Sequence, residues 1–117
     1  MDYLKLLGKI EEKIALCEKR YEEDKDDSFL SAIRHSEWKT VETLYERVKN
    51  AQKPENLLPA WKEKLAGLEI EKEKEDRHPS FDWYDEHYHY KVLDGQCDAY
   101  KGMIKLITDV MNENVKI

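Results

Sequence analysis

Apolar residues recur along this chain at alternating steps of three and four, the spacing of one face of an α-helix. Tyr3, Leu7, Ile10, Ile14, Cys17 and Tyr21 make the first such stripe, widened by Leu4, Leu6 and Ala15, and predict a helix over residues 2–24. The polar run EEDKDDS that follows reads as a turn, where Asp27 or Ser28 can cap the next helix. A second helix is predicted over 28–52, with Leu30, Ile33, Val41, Leu44, Val48 and Ala51 as its stripe and Trp38 and Tyr45 at its flank. So short a turn joins the two as an antiparallel hairpin.

The segment QKPENLLP breaks the pattern, and Pro54 and Pro59 each suit a helix start. The third helix, predicted over 55–75, carries Leu58, Trp61, Leu65 and Leu68 on one face. Past Ile70 it becomes EKEKED, a charged end expected to project into water. RHPS stops it, and Ser80 or Asp82 can cap a fourth helix over 81–114, roughly 50 Å long at about 1.5 Å per residue.

That fourth helix has two apolar faces. Leu93, Cys97, Tyr100, Ile104, Ile107 and Met111 lie on one side. Tyr84, Tyr88, Val92, Gly95, Ala99, Gly102 and Leu106 lie on the other. Only a strip through His87, Lys91, Asp94, Asp98, Lys101, Lys105 and Asp109 is polar. A helix apolar around most of its circumference has to be covered on both sides. Gly95, Ala99 and Gly102 form a groove for close approach, filled either by a helix of the same chain or by a partner or second copy. The expected fold is all-α: a four-helix antiparallel bundle with an N-terminal helical hairpin and a long C-terminal helix, in a single domain spanning residues 1–117.

Composition agrees with that reading. The 117 residues are one domain's worth of chain, and 4 Gly and 3 Pro leave few helix breakers. Net charge is −6, with acid and base interspersed, and no segment is basic. Direct nucleic-acid binding is therefore not expected, while a protein partner with a basic surface is. No apolar run approaches the length of a membrane span, and MDYLKLLGKIEEK lacks the shape of a signal peptide, so a cytoplasmic protein without membrane contact is expected. Cys17 and Cys97 fall on apolar faces and read as buried free thiols.

Several charged residues interrupt the core lines. Asp82, Glu86 and His89 continue the face of Leu93 and Cys97, and Arg34 and Glu37 interrupt the line from Leu30 to Val41. Glu18 is expected level with Arg34 across the hairpin. Charges on a buried stripe must be paired or hydrated. The expectation is a polar core layer of Glu18, Arg34, Glu37, Asp82, Glu86 and His89, with Arg34 pairing Glu37 or Glu18. The alternative is a metal site. EHYH contains the Glu-x-x-His step that carboxylate-bridged bundles use twice, so Glu86 and His89, with Asp82 and Glu37, could hold a metal if a homodimer supplied a second copy. A magnesium-dependent nucleotide pyrophosphatase would need carboxylates at helical spacing on facing helices. Glu11–Glu12, Glu22–Glu23 and Asp94–Asp98 are present but do not repeat that spacing. No cofactor motif and no other catalytic motif appears.

The start of the fourth helix is aromatic. Trp83, Tyr84, His87 and Tyr88, with the Gly95, Ala99 and Gly102 groove, are the candidate interaction residues, because aromatic side chains anchor interfaces. The chain's general style, short, rich in Lys and Glu, with an aromatic C-terminal helix, is similar to that of small acidic helical accessory proteins of phages and mobile elements. That resemblance implies a modulator or inhibitor of a host enzyme or defence factor. The expected function is accordingly non-catalytic: protein binding, together with self-association as a dimer.

Overall fold

The computed structural model describes residues 2–76 and 85–113, and side chains throughout those ranges except at 76 and 85–88. Among the described residues the chain is helical: α1 (Tyr3–Asp24), α2 (Ser28–Asn50), a 3-10 turn (Pro54–Leu57), α3 (Leu58–Asp76) and α4 (Asp85–Glu113). The helices pack against one another, and no described helix is long and apolar enough to cross a membrane.

Helix ends follow local chemistry. Asp2 caps α1 by accepting from the Lys5 amide at 3.0 Å. Asp27 caps α2 by accepting from the amides of Phe29 and Leu30, each at 2.9 Å. These bonds satisfy donors that the first helical turn leaves without an internal partner. Pro54 and Pro59 both start helical structure, Pro54 opening the 3-10 turn and Pro59 standing in the first turn of α3.

α1 and α2 form the hairpin. At one end the Tyr3 hydroxyl donates to the carbonyls of Val48 and Lys49, and at the other Arg34 Nε donates to Asp24 at 3.1 Å. The α1 stripe is centred one position from the expected line: Leu6, Ile10 and Cys17 are buried, Tyr3, Leu7 and Ile14 flank them, and Leu4 and Ala15 face solvent.

α4 packs on α2 and on α3, and less extensively on α1, whereas α3 packs chiefly on α4. The main core joins Leu6, Ile10 and Cys17 of α1, Val41, Leu44 and Val48 of α2, Leu58 and Trp61 of α3, and Ala99, Met103, Ile107 and Val110 of α4. A smaller cluster joins Leu68 of α3 to Leu93 and Cys97 of α4, with Leu65 and Tyr100 packed against it. The two apolar flanks of α4 are thus both covered within the chain, Gly95 and Ala99 toward the hairpin and Leu93 and Cys97 toward α3. Lys101, Lys105 and Asp109 remain on the exposed strip.

In the charged end of α3, Glu71, Glu73 and Lys74 face solvent as expected, and Lys72 departs from that expectation. Lys72 is half-buried and reaches across to Asp94 of α4 at 2.6 Å, with its ammonium 5.6 Å from the Tyr90 ring. Lys101 of α4 likewise meets Glu69 at 3.3 Å. The long Lys72 side chain thus pairs across to α4 rather than along its own helix.

Candidate functional site

Glu37 is the charged residue most deeply placed among those described, 5% exposed on α2 between Ile33 and Val41. The Cys17 thiol donates to Glu37 Oε1 at 3.5 Å, and Arg20 Nη1 lies 3.8 Å from the same oxygen. Arg20 keeps 43% of its side chain in solvent, so the buried carboxylate is linked to water through a guanidinium. Burial pushes the Cys17 thiol up to about 11, and the nearby Glu37 charge adds to the shift. On the facing helix, Asp98 is raised by burial first, and then by the like charges of Asp94 and Glu37.

The polar layer expected from sequence is therefore only partly assembled. Glu37 is in it. Glu18 is exposed, and Arg34 pairs with Asp24 rather than with Glu18 or Glu37. The hairpin register is the reason: it brings Asp24, not Glu18, level with Arg34, and sets Arg20 opposite Glu37. Arg20 was not anticipated. Its signal was its place one turn after Cys17, at the edge of the α1 stripe. His89 is exposed on α4. Asp82, Trp83 and Tyr84 lie outside the described residues. Glu86, His87 and Tyr88 belong to α4, and their side chains also lie outside the described residues.

The residues of the metal alternative are not brought together as far as they are described. Glu37 faces Cys17 and Arg20 in the core, while His89 faces solvent. Among the described residues no group of three or more His, Cys, Asp or Glu side chains is placed to hold a metal ion. Asp94, a member of the carboxylate pair considered for magnesium, is engaged by Lys72.

The small-residue groove is used from within. A Cβ on Gly95 would lie 2.5 Å from the Ile33 carbonyl oxygen and 2.7 Å from the Ser36 Cβ, both on α2. Ser36 supports this close crossing by donating its hydroxyl to the Val92 carbonyl at 2.6 Å. Ala99 is fully buried in the main core, and the Lys13 side chain lies over Gly102. Close approach to α2, rather than to a sister chain, accounts for Gly95, and the groove gives no separate support for a dimer.

The start of α4 lies beside the α1–α2 turn. Lys91 Nζ donates to the Ser28 carbonyl at 3.4 Å and stands 5.0 Å above the ring of Phe29, which is 45% exposed. Glu22, Glu23, Asp26 and Asp27 of the turn are exposed. On the neighbouring face of the hairpin, Tyr21 packs against His35 at 5.4 Å and Trp38 at 5.7 Å between ring centroids. This end of the molecule combines exposed carboxylates with aromatic rings. Comparison with protein-family models, curated proteins and solved structures finds no match.

Proposed function

We propose that this chain is a non-catalytic binding protein that meets another protein with the end formed by the α1–α2 turn and the start of α4. Aromatic residues Trp83, Tyr84, His87 and Tyr88 would anchor the partner, and the exposed carboxylates of the turn would steer a partner with a basic surface. The observation that carries the reading is the contact of Lys91 with Ser28 and Phe29, which brings the described part of α4 beside the acidic turn. In a cytoplasmic setting, a phage- or mobile-element-encoded modulator of a host enzyme or defence factor fits such a surface.

The test is affinity capture with the tagged chain, followed by quantitative binding to the captured protein. Tyr84→Ala and Tyr88→Ala are expected to weaken binding at least tenfold, while Ile70→Ser, a change on exposed α3 surface, leaves it unchanged. Binding indifferent to both tyrosine variants would move the interface elsewhere. Stoichiometric iron, manganese or zinc in the purified protein, lost in Glu86→Ala, would replace the binding reading with the metal-centre alternative.

A further inference from the structure

A cleft of about 660 Å³ opens where the end of α1 and the first half of α2 meet α4. Volumes of about 300–1,000 Å³ are usual for small-molecule sites. Its polar lining includes Lys25, Ser31, His35, Lys39 and Thr40, and no Asp or Glu lines it, although the chain has 26 acidic residues. Of the nearby carboxylates, Asp24 is engaged by Arg34, Asp27 by the first amides of α2, Glu22 by Lys25 and Glu42 by Lys39, while Glu23 and Asp26 of the turn face solvent. The pairs of Glu22 with Lys25 and of Glu42 with Lys39 are exposed and one turn apart on a helix surface, worth only a few tenths of a kcal/mol and open to competition by a stronger anion.

The two ends of the cleft differ. Lys25 stands within the acidic turn, among Glu22, Glu23, Asp26 and Asp27. Lys39 lies one helical turn after His35 and beside Thr40, with Glu42 as its one carboxylate partner among the described residues. Its ammonium is held 4.0 Å from the Trp38 ring centroid. Ser31 and Thr40 add two hydroxyl groups to the lining. Tyr21, Ala32 and Val92 give the cleft apolar surface, with Ser28, Ser36 and Gln96 completing the lining.

We propose that this cleft binds a small organic phosphate, a phosphomonoester of about nucleotide size. The phosphoryl group sits at Lys39, His35 and Thr40, and the organic body rests against Tyr21, Ala32 and Val92. A charged ammonium beside hydroxyl and imidazole donors meets a phosphoryl dianion, while the apolar wall distinguishes its ester from free phosphate. The proposal uses none of the aromatic anchors of the partner-binding reading, and the cleft shares only Lys25 and Ser28 with the end where that reading sits.

The experiment is a titration of the isotope-labelled full chain followed by two-dimensional NMR. Adenosine 5′-monophosphate is the probe, with adenosine and inorganic phosphate as separate arms. Saturable shifts confined to residues lining the cleft, among them Ser31, His35, Thr40 and Gln96, are expected, with affinity at least tenfold above that of either fragment. Lys39→Ala and, separately, Thr40→Val are expected to weaken the nucleotide at least fivefold while leaving the spectrum elsewhere unchanged. Lys62→Ala, on α3, should have no effect. Equal affinity for free phosphate or for adenosine would overturn the proposal. So would shifts centred outside the cleft, or full binding by both cleft variants.

Discussion

Gly95 of α4 stands so close to α2 that a methyl group in place of its hydrogen would lie 2.5 Å from the carbonyl oxygen of Ile33. Backbone cannot yield as a side-chain end can, so the two helices would have to separate. Gly95→Ala is expected to cost about 1–3 kcal/mol, despite the roughly 1 kcal/mol that Ala gains over Gly in a helix. Gly102→Ala should cost less, because the atoms it would meet are the flexible end of Lys13. Gly8→Ala and Gly67→Ala, with nothing within 4 Å, should stabilise by up to about 1 kcal/mol. Urea unfolding of the four variants measures this order, and a stable Gly95→Ala protein would contradict the close crossing.

Among the described residues, Arg20 is the cation paired with the buried Glu37 carboxylate. Because it is partly exposed and 3.8 Å away, the pair should be worth about 1 kcal/mol, less than a fully buried one. Arg20→Ala is expected to destabilise by that order, and to cost much less when Glu37→Gln has already removed the charge. A double-mutant cycle by chemical denaturation reads the coupling, and additive effects would show that the two side chains do not interact.

Asp98 provides a pH prediction. Its carboxyl is raised by burial and by the charges of Asp94 and Glu37, so the folded chain holds this proton more tightly than the unfolded one. Its ionisation therefore opposes folding: stability from this group falls as pH rises from the ordinary carboxylate range through the raised value. Asp98→Asn should raise Tm at pH 7, and the gain should shrink as the solution is acidified. Thermal scans from pH 7 to pH 4 test this, and a gain that grows on acidification would contradict the sign.

Both thiols should be unreactive in the native protein. Cys17 moves from its ordinary value of 9.0 to about 11, which lowers its thiolate fraction about a hundredfold before steric shielding is counted. Burial raises Cys97 as well. Alkylation at pH 8 is expected to be slow for both and complete in guanidinium. Rapid labelling of either in the folded state would contradict its burial.

Much of the architecture was legible because helix periodicity is a local signal. The helix bounds expected from stripes and caps differ from those observed by only a few residues where both are described. The two-flanked character of α4 was visible in the spacing of Leu93 and Cys97 against Gly95 and Ala99. What fills the Gly95 groove was not, since the same small residues admit a helix from within or from outside. Pairing was less legible still. Which carboxylate meets Arg34 depends on the rotation and register of two helices, and a shift of a turn exchanges Glu18 for Asp24. Lys72 shows the same limit: the charged run predicts solvent exposure, whereas its long stem lets it cross to Asp94.

The account depends most on α4 being covered on both flanks by its own chain. The direct measurement is a set of NOEs in a sample shown by light scattering to be monomeric. Contacts are expected from Ala99 and Met103 to core residues of α2, and from Leu93 and Cys97 to Leu68 of α3, all unchanged on dilution. Absence of either set, or its appearance only between differently labelled chains in a mixed sample, would contradict the account.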